Sequence, residues 1–149
     1  AIKFIKNKGF KNLEMNLGAY LLIADTGIHG HTRDAIMNIK NMGDRALPML
    51  EKLGKLKEET EKFIEEKDVI NIGKNMISAH GELKKLGVSI KKSDILVKTA
   101  IDEGAYGAKM SGGGLGGCII ALMESREKAE MTGKKLMEKG AVNIWIEAL

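Results

Sequence analysis

The chain has 149 residues, 44% apolar and 30% charged, with a net charge of +4 carried almost wholly by lysine. That length suits one domain burying roughly 70% of its unfolded surface, and no apolar run approaches the ~20 residues of a membrane span. Arginine stands only at Arg33, Arg45 and Arg126 and aromatic residues make up 4%, so lysines interleaved with glutamates read as a solvated helix surface rather than a nucleic-acid footprint. The single cysteine, Cys118, has no partner for an internal disulfide, and the first residues lack the apolar core of a signal peptide. A reducing, cytoplasmic setting is the expectation.

In chain order, residues 4–6 and 13–16 suggest short edge strands around the turn-prone Asn7, Lys8 and Gly9. Tyr20, Leu21, Leu22, Ile23 and Ala24 form an apolar run that predicts a buried strand, stopped by Asp25, Thr26 and Gly27. His31 or Thr32 is placed to cap a helix that ends at Gly43, with Asp34 in its first turn. Pro48 opens or kinks the next helix, whose face is marked by Leu56, Thr60, Phe63 and Ile64. Asp68 caps a further helix with Val69, Ile72, Gly73, Met76, His80 and Leu83 on one stripe, and Gly87 ends it. Ser93 is the expected cap of a helix over residues 94–103. A strand, a glycine-rich loop and a second strand follow; then Ser125 caps a helix stopped by Gly140, and residues 142–149 form the last strand. This order predicts an α+β domain, an antiparallel sheet with helices packed on one face.

Two segments carry chemistry. The first is Gly112, Gly113, Gly114, Leu115, Gly116 and Gly117, preceded by Ser111 and followed by the apolar run from Cys118 to Met123. A backbone so bare of side chains approaches other groups closely and can turn its N–H groups toward a phosphate. The spacing of Gly112, Gly114 and Gly117 satisfies G-x-G-x-x-G, but a strand follows where that fingerprint needs a helix. No Gly-Lys-Ser/Thr follows either, which excludes a P-loop. A glycine-rich hairpin and an anion cradle both remain open at this point. Cys118 reads as a small buried hydrophobe, since no basic residue adjoins it.

The second segment, residues 25–34, lies at a strand end entering a helix and holds Asp25, Thr32 and Arg33. A helix N-terminus favours anions, and Arg33 could grip a carboxylate or phosphate; a plain capped helix explains the same residues. His29 and His31 lack a third ligand nearby, so no metal site is expected. His80, on an apolar stripe, reads as a hydrogen-bonded interior histidine rather than a catalytic base.

Together and in this order, these segments resemble the C-terminal half of the GHMP kinases, which phosphorylate galactose, homoserine, mevalonate and phosphomevalonate. The stretch from Gly107 to Cys118 is similar to that superfamily's third, glycine-rich motif. Ile23-Ala24-Asp25-Thr26-Gly27 with Gly30-His31-Thr32-Arg33, and the stretch from Ala79 to Ser89, resemble the mevalonate kinases within it. Met110, Ser111 and Leu115 depart from the more usual Leu-Thr-Gly-Ala-Gly-Gly-Gly-Gly-Cys, though Ser111 keeps a hydroxyl. The resemblance implies a ferredoxin-like domain spanning residues 1–149 and part of an enzyme that transfers the γ-phosphoryl of ATP to mevalonate. It places Ser111, Gly112, Gly113, Gly114, Gly116 and Gly117 in the phosphate cleft, and Thr32 and Arg33 near the substrate, with Asp25 and His80 as further candidates. It also implies that the ATP loop, the catalytic aspartate and the Mg2+ ligands belong to an N-terminal half, so the isolated domain is expected to be inactive, with a homodimer possible. The alternatives are a domain of another GHMP kinase, such as phosphomevalonate kinase, or a stand-alone ferredoxin-like binding or dimerisation module.

Overall fold

In the computed structural model all residues are described except Ala1, Lys6, Lys8 and Glu14; the side chains of Lys3, Ile5 and Lys11 also lie outside the description. Strands β1 (Ile2–Ile5) and β2 (Gly9–Asn12) form a two-stranded antiparallel hairpin with Phe4 opposite Phe10. The second strand therefore lies ahead of the expected 13–16, because the chain reverses at Asn7 and Gly9, both at positive φ, and pairs at once. The parts of the expected strands and turn at Lys6, Lys8 and Glu14 fall outside the described residues.

The remaining strands, β3 (Tyr20–Asp25), β4 (Gly107–Ser111), β5 (Cys118–Met123) and β6 (Asn143–Ala148), form one antiparallel sheet in the order β4-β5-β3-β6. First and third strands lie in the middle, second and fourth at the edges, which is the ferredoxin-like arrangement. Between β3 and β4 come α1 (Thr32–Met42), a 3-10 turn (Gly43–Ala46), α2 (Leu47–Glu65), α3 (Val69–Lys85) and α4 (Lys91–Asp102); α5 (Arg126–Glu138) joins β5 to β6. The fold is α+β, as the order of elements predicts.

Helices α4 and α5 cover one face of the sheet. Leu96, Val97 and Ala100 from α4 and Ala129 and Leu136 from α5 pack with Leu22, Ala24, Ile119, Ala121 and Met123. Burying one such leucine contributes about 2 kcal/mol. The apolar run of β3 is accordingly buried at Leu22 and Ala24 and only half-buried at Leu21 and Ile23. Helix α3 lies along edge strand β4, where Ile72 and Met76 pack with Leu122. Gly73 is what permits this approach: a Cβ there would meet the Tyr106 carbonyl oxygen at 2.1 Å. α2 packs in turn on α3, where the buried Glu82 carboxylate accepts from Lys52 at 2.7 Å and Lys85 at 3.0 Å. Those two ammonium groups hold the Glu82 carboxyl below the usual range.

Two of the expected caps hold: Asp68 accepts from the Asn71 N–H at 3.0 Å and Ser125 from the Lys128 N–H at 3.2 Å. Ser93 does not cap α4. That helix starts earlier, at Lys91, with Ile90 in the N-cap position, and Ser93 is buried within its first turn. The first helical bond runs from the Asp94 N–H to the Ile90 carbonyl, which places Ser93 inside the helix rather than at its cap. No described helix is long and apolar enough to cross a membrane.

Candidate functional site

The two chemically dense segments meet in space. The last residue of β3, Asp25, is in register with the first of β5, Cys118, so the loops leaving these strands leave side by side. Antiparallel pairing of two central strands is what brings residues 25–34 against residues 112–117.

The contact is built almost entirely from backbone. Thr26 donates its N–H to the Gly117 carbonyl at 3.0 Å and its Oγ1 hydroxyl to the same oxygen at 2.6 Å. The Gly117 N–H donates to the Ile28 carbonyl at 2.8 Å, and the His31 N–H to the Gly114 carbonyl at 3.2 Å. Leu115 is anchored on the other side by its N–H to the Val88 carbonyl at 2.8 Å. Buried Thr26 is therefore the residue that ties the two loops, and sequence reasoning read it only as part of a turn; its position just past an apolar strand was the available signal. His31 occupies the N-cap of α1 and makes no side-chain cap bond; its backbone N–H reaches the glycine loop.

Glycine is required where these loops touch. A Cβ on Gly116, at φ 136°, would lie 2.5 Å from the Ile28 carbonyl oxygen. A Cβ on Gly113 would lie 1.9 Å from Thr32 Oγ1. The Thr32 hydroxyl thus occupies the space a side chain at residue 113 would take, and the exposed first turn of α1 stands directly over the glycine loop. A small cavity of about 230 Å³ beside Gly112, Gly113 and Gly114 is lined by Ala35, Ile39 and Lys109.

The other expected residues distribute as follows. Ser111 ends β4 opposite Cys118 at the mouth of the loop. Arg33 is exposed beside Thr32. Asp25 shapes the turn, its Oδ1 accepting the Gly27 N–H at 2.8 Å. His80 is buried under β4, its Nδ1 accepting the Met110 N–H at 3.3 Å. It acts on the residue before Ser111 and is not itself part of the loop contact. His29 and His31 rings stand edge to face at 6.1 Å, and His31 Nδ1 lies 3.8 Å from Asp34 Oδ2. Among the described residues no three His, Cys, Asp or Glu side chains converge as a metal site would require. Burial, with the Asp25 charge assisting, pushes the Cys118 thiol up, so it is a poor nucleophile.

Lys109 was not singled out from the sequence. Its Nζ donates to the Met110 carbonyl at 2.8 Å, and burial lowers its ammonium below the ordinary lysine value. It also borders a larger, mostly apolar cavity of about 690 Å³ that lies between the N-terminal hairpin, α2, α3 and the uncovered sheet face. Of the two cavities, the smaller one borders the glycine loop, and Lys109 lines both.

Residues 56–141 match the family described as GHMP kinases C terminal. The chain belongs to this family. Its curated relatives include mevalonate kinases, and also a galactokinase of Pyrococcus furiosus that is 36% identical over 77 residues; it is 34% identical over 125 residues to the mevalonate kinase of Pyrococcus horikoshii, covering 78% of this chain and 37% of the relative. It is 33% identical over 114 residues to that of Aeropyrum pernix, covering 74% and 35%. Among solved structures, L. major mevalonate kinase in complex with R-mevalonate superposes with a TM-score of 0.86 at 25% identity, over 97% of this chain and 47% of that one. This GHMP kinase domain thus spans a little over a third of the curated relatives and just under half of that solved chain.

Proposed function

We propose that this chain forms the C-terminal part of a mevalonate kinase, in which the γ-phosphoryl of ATP passes to the primary hydroxyl of mevalonate. The observation that carries this reading is the joining of residues 25–34 to the glycine loop, with Thr32 over Gly113, in a chain 34% identical over 125 residues to a mevalonate kinase. Phosphoryl transfer asks the protein for positioning and charge stabilisation more than for covalent chemistry. On this reading the bare backbone of residues 112–117 lets phosphate oxygens approach closely. Thr32 offers a hydroxyl to mevalonate, and Arg33, exposed one residue on, offers a charge to its carboxylate. Mg2+ would neutralise phosphate charge; the described residues present no cluster of three His, Cys, Asp or Glu side chains to hold it, and on this reading its ligands belong to another part of the kinase. The ATP loop and general base belong, on this reading, to another part of the kinase.

The test is a reconstitution. The 149-residue chain is assayed for ATP-dependent phosphorylation of mevalonate alone and mixed with the N-terminal half of an archaeal mevalonate kinase. No turnover alone and turnover on mixing is the expected result; turnover by the isolated chain refutes the division of labour. A panel of mevalonate, phosphomevalonate, homoserine and galactose separates mevalonate kinase from its relatives, and preference for any other alcohol overturns the substrate assignment. A chain that binds no partner half and turns over nothing would favour a stand-alone binding or dimerisation module.

A further inference from the structure

The stripe of α3 that faces β4 carries Gly73 and, two turns on, His80. Seven helical residues rise about 10.5 Å, and three strand residues about 10 Å. Helix and strand therefore stay in step: Gly73 meets Gly107, and His80 meets Met110. The Met110 N–H points away from β5, off the edge of β4 that α3 covers, and would lack a partner without His80 Nδ1, 3.3 Å away. An edge-strand N–H buried without an acceptor is costly.

The other ring nitrogen is placed as deliberately. His80 Nε2 lies 3.2 Å from Asp94 Oδ1 but off the line of a well-formed hydrogen bond, and it is the buried side-chain nitrogen left unsatisfied among the described residues. Asp94, in the first turn of α4, is fixed by Ser89 Oγ donating to Oδ1 at 2.7 Å and by Lys84 Nζ at 3.0 Å from Oδ2. A carboxylate held at Nε2 favours the tautomer with its proton there, which leaves Nδ1 free to accept. The charged groups facing the ring are Asp94 from α4, Lys84 from α3 and Lys109 from β4. Burial pushes the imidazole below its ordinary value; Asp94 opposes this, and Lys84 and Lys109 add to it.

We propose that His80 is a positioning residue for the glycine loop: as the neutral Nε2–H tautomer oriented by Asp94, it anchors the Met110 N–H and thereby fixes Ser111 and the loop's entry. The anchor itself is independent of the substrate; its effect on turnover rests on the kinase reading above. Protonation converts Nδ1 into a donor facing a second donor, so the anchor fails in acid. The linkage has the matching sign. A histidine lowered in the native state contributes fully above its ordinary value, and the contribution falls away as the pH drops from there to the lowered native value.

Long-range proton–nitrogen correlation on the labelled 149-residue chain reads the tautomer directly. The expected result is Nε2–H from pH 8 down to the ordinary histidine value, with the Met110 and Ser111 amides shifting on the same titration as the ring. An Nδ1–H tautomer at pH 7.5, or amides that ignore the ring's titration, overturns the proposal. Two variants sharpen it. His80→Asn keeps an oxygen near the place of Nδ1, whereas His80→Leu keeps bulk without an acceptor. Amide exchange at Met110 and Ser111 should rise about tenfold in His80→Leu, the size of one ordinary hydrogen bond, and stay near wild type in His80→Asn. Equal exchange in a folded His80→Leu sinks the anchor; if that variant does not fold, the wild-type titration decides. In the reconstituted kinase, once wild-type turnover is established, His80→Leu should lower kcat more than it raises KM for mevalonate, with His80→Asn restoring kcat. A confirmed anchor with unchanged kcat overturns the catalytic consequence alone. Absent wild-type turnover counts against the kinase reading and leaves the anchor to the spectra.

Discussion

Two close approaches in this molecule depend on glycine, and they are built for different ends. Where α3 crosses β4, Gly73 and Gly107 press backbone on backbone, with a hypothetical Cβ at either within 2.1 Å of main-chain oxygen. Where the glycine loop meets α1, Gly113 faces the side-chain hydroxyl of Thr32. The first approach sits in the packed interior, where nothing can move aside. The second opens to solvent, where the exposed first turn of α1 has room to shift. A glycine demanded by packing and a glycine demanded by a site therefore differ in what yields when a methyl is added.

That difference orders the expected effects. Gly73→Ala should be the most damaging change, costing about 3 kcal/mol because two backbones must separate; urea denaturation of the 149-residue chain measures it, and a loss under 1 kcal/mol would mean the helix slides freely on the strand. Gly116→Ala comes next, at about 2 kcal/mol, because its positive φ and the Ile28 carbonyl both resist a side chain. Gly113→Ala should cost about 1.5 kcal/mol of stability: rotation of Thr32 moves its hydroxyl but not its Cβ, 2.7 Å from the added methyl, so the exposed first turn of α1 must shift as well. In the reconstituted kinase it should nonetheless lower turnover far more than that loss of stability explains, and Thr32→Ala should mimic it. If Gly113→Ala and Gly73→Ala prove equal in both stability and turnover, the distinction between the two approaches fails. The smallest effect concerns Cys118. Its raised thiol should alkylate slowly with iodoacetamide at pH 8, and Asp25→Asn, which keeps the acceptor for the Gly27 N–H while removing the charge, should speed the reaction modestly.

Much of this was legible in the sequence because its causes are local. The clustering of Gly112 to Gly117, the apolar run of β3 and the caps at Asp68 and Ser125 each depend on residues a few positions apart. In the N-terminal hairpin the turn at Asn7 and Gly9 was legible, but not that the second strand pairs directly from Gly9 rather than from residue 13. Nor was the start of α4, which opens at Lys91, ahead of Ser93. His80 was read as an interior, hydrogen-bonded histidine, and it is one. Its partners, Met110 and Asp94, come from two other elements, and no spacing along the chain announces them. Thr26 was read only as part of a turn for the same reason: its acceptor, Gly117, is 91 residues away.

The sheet order has a consequence for how the chain is made. β3 lies between β5 and β6, both of which follow it by most of the chain's length. Thr26 and its acceptor Gly117 are 91 residues apart, and ribosomes add about 5–20 residues per second. The apolar segment Tyr20–Asp25 therefore waits roughly 5–20 s after synthesis before either neighbour strand exists. During that interval the helices made in between are what can shield it from other nascent chains.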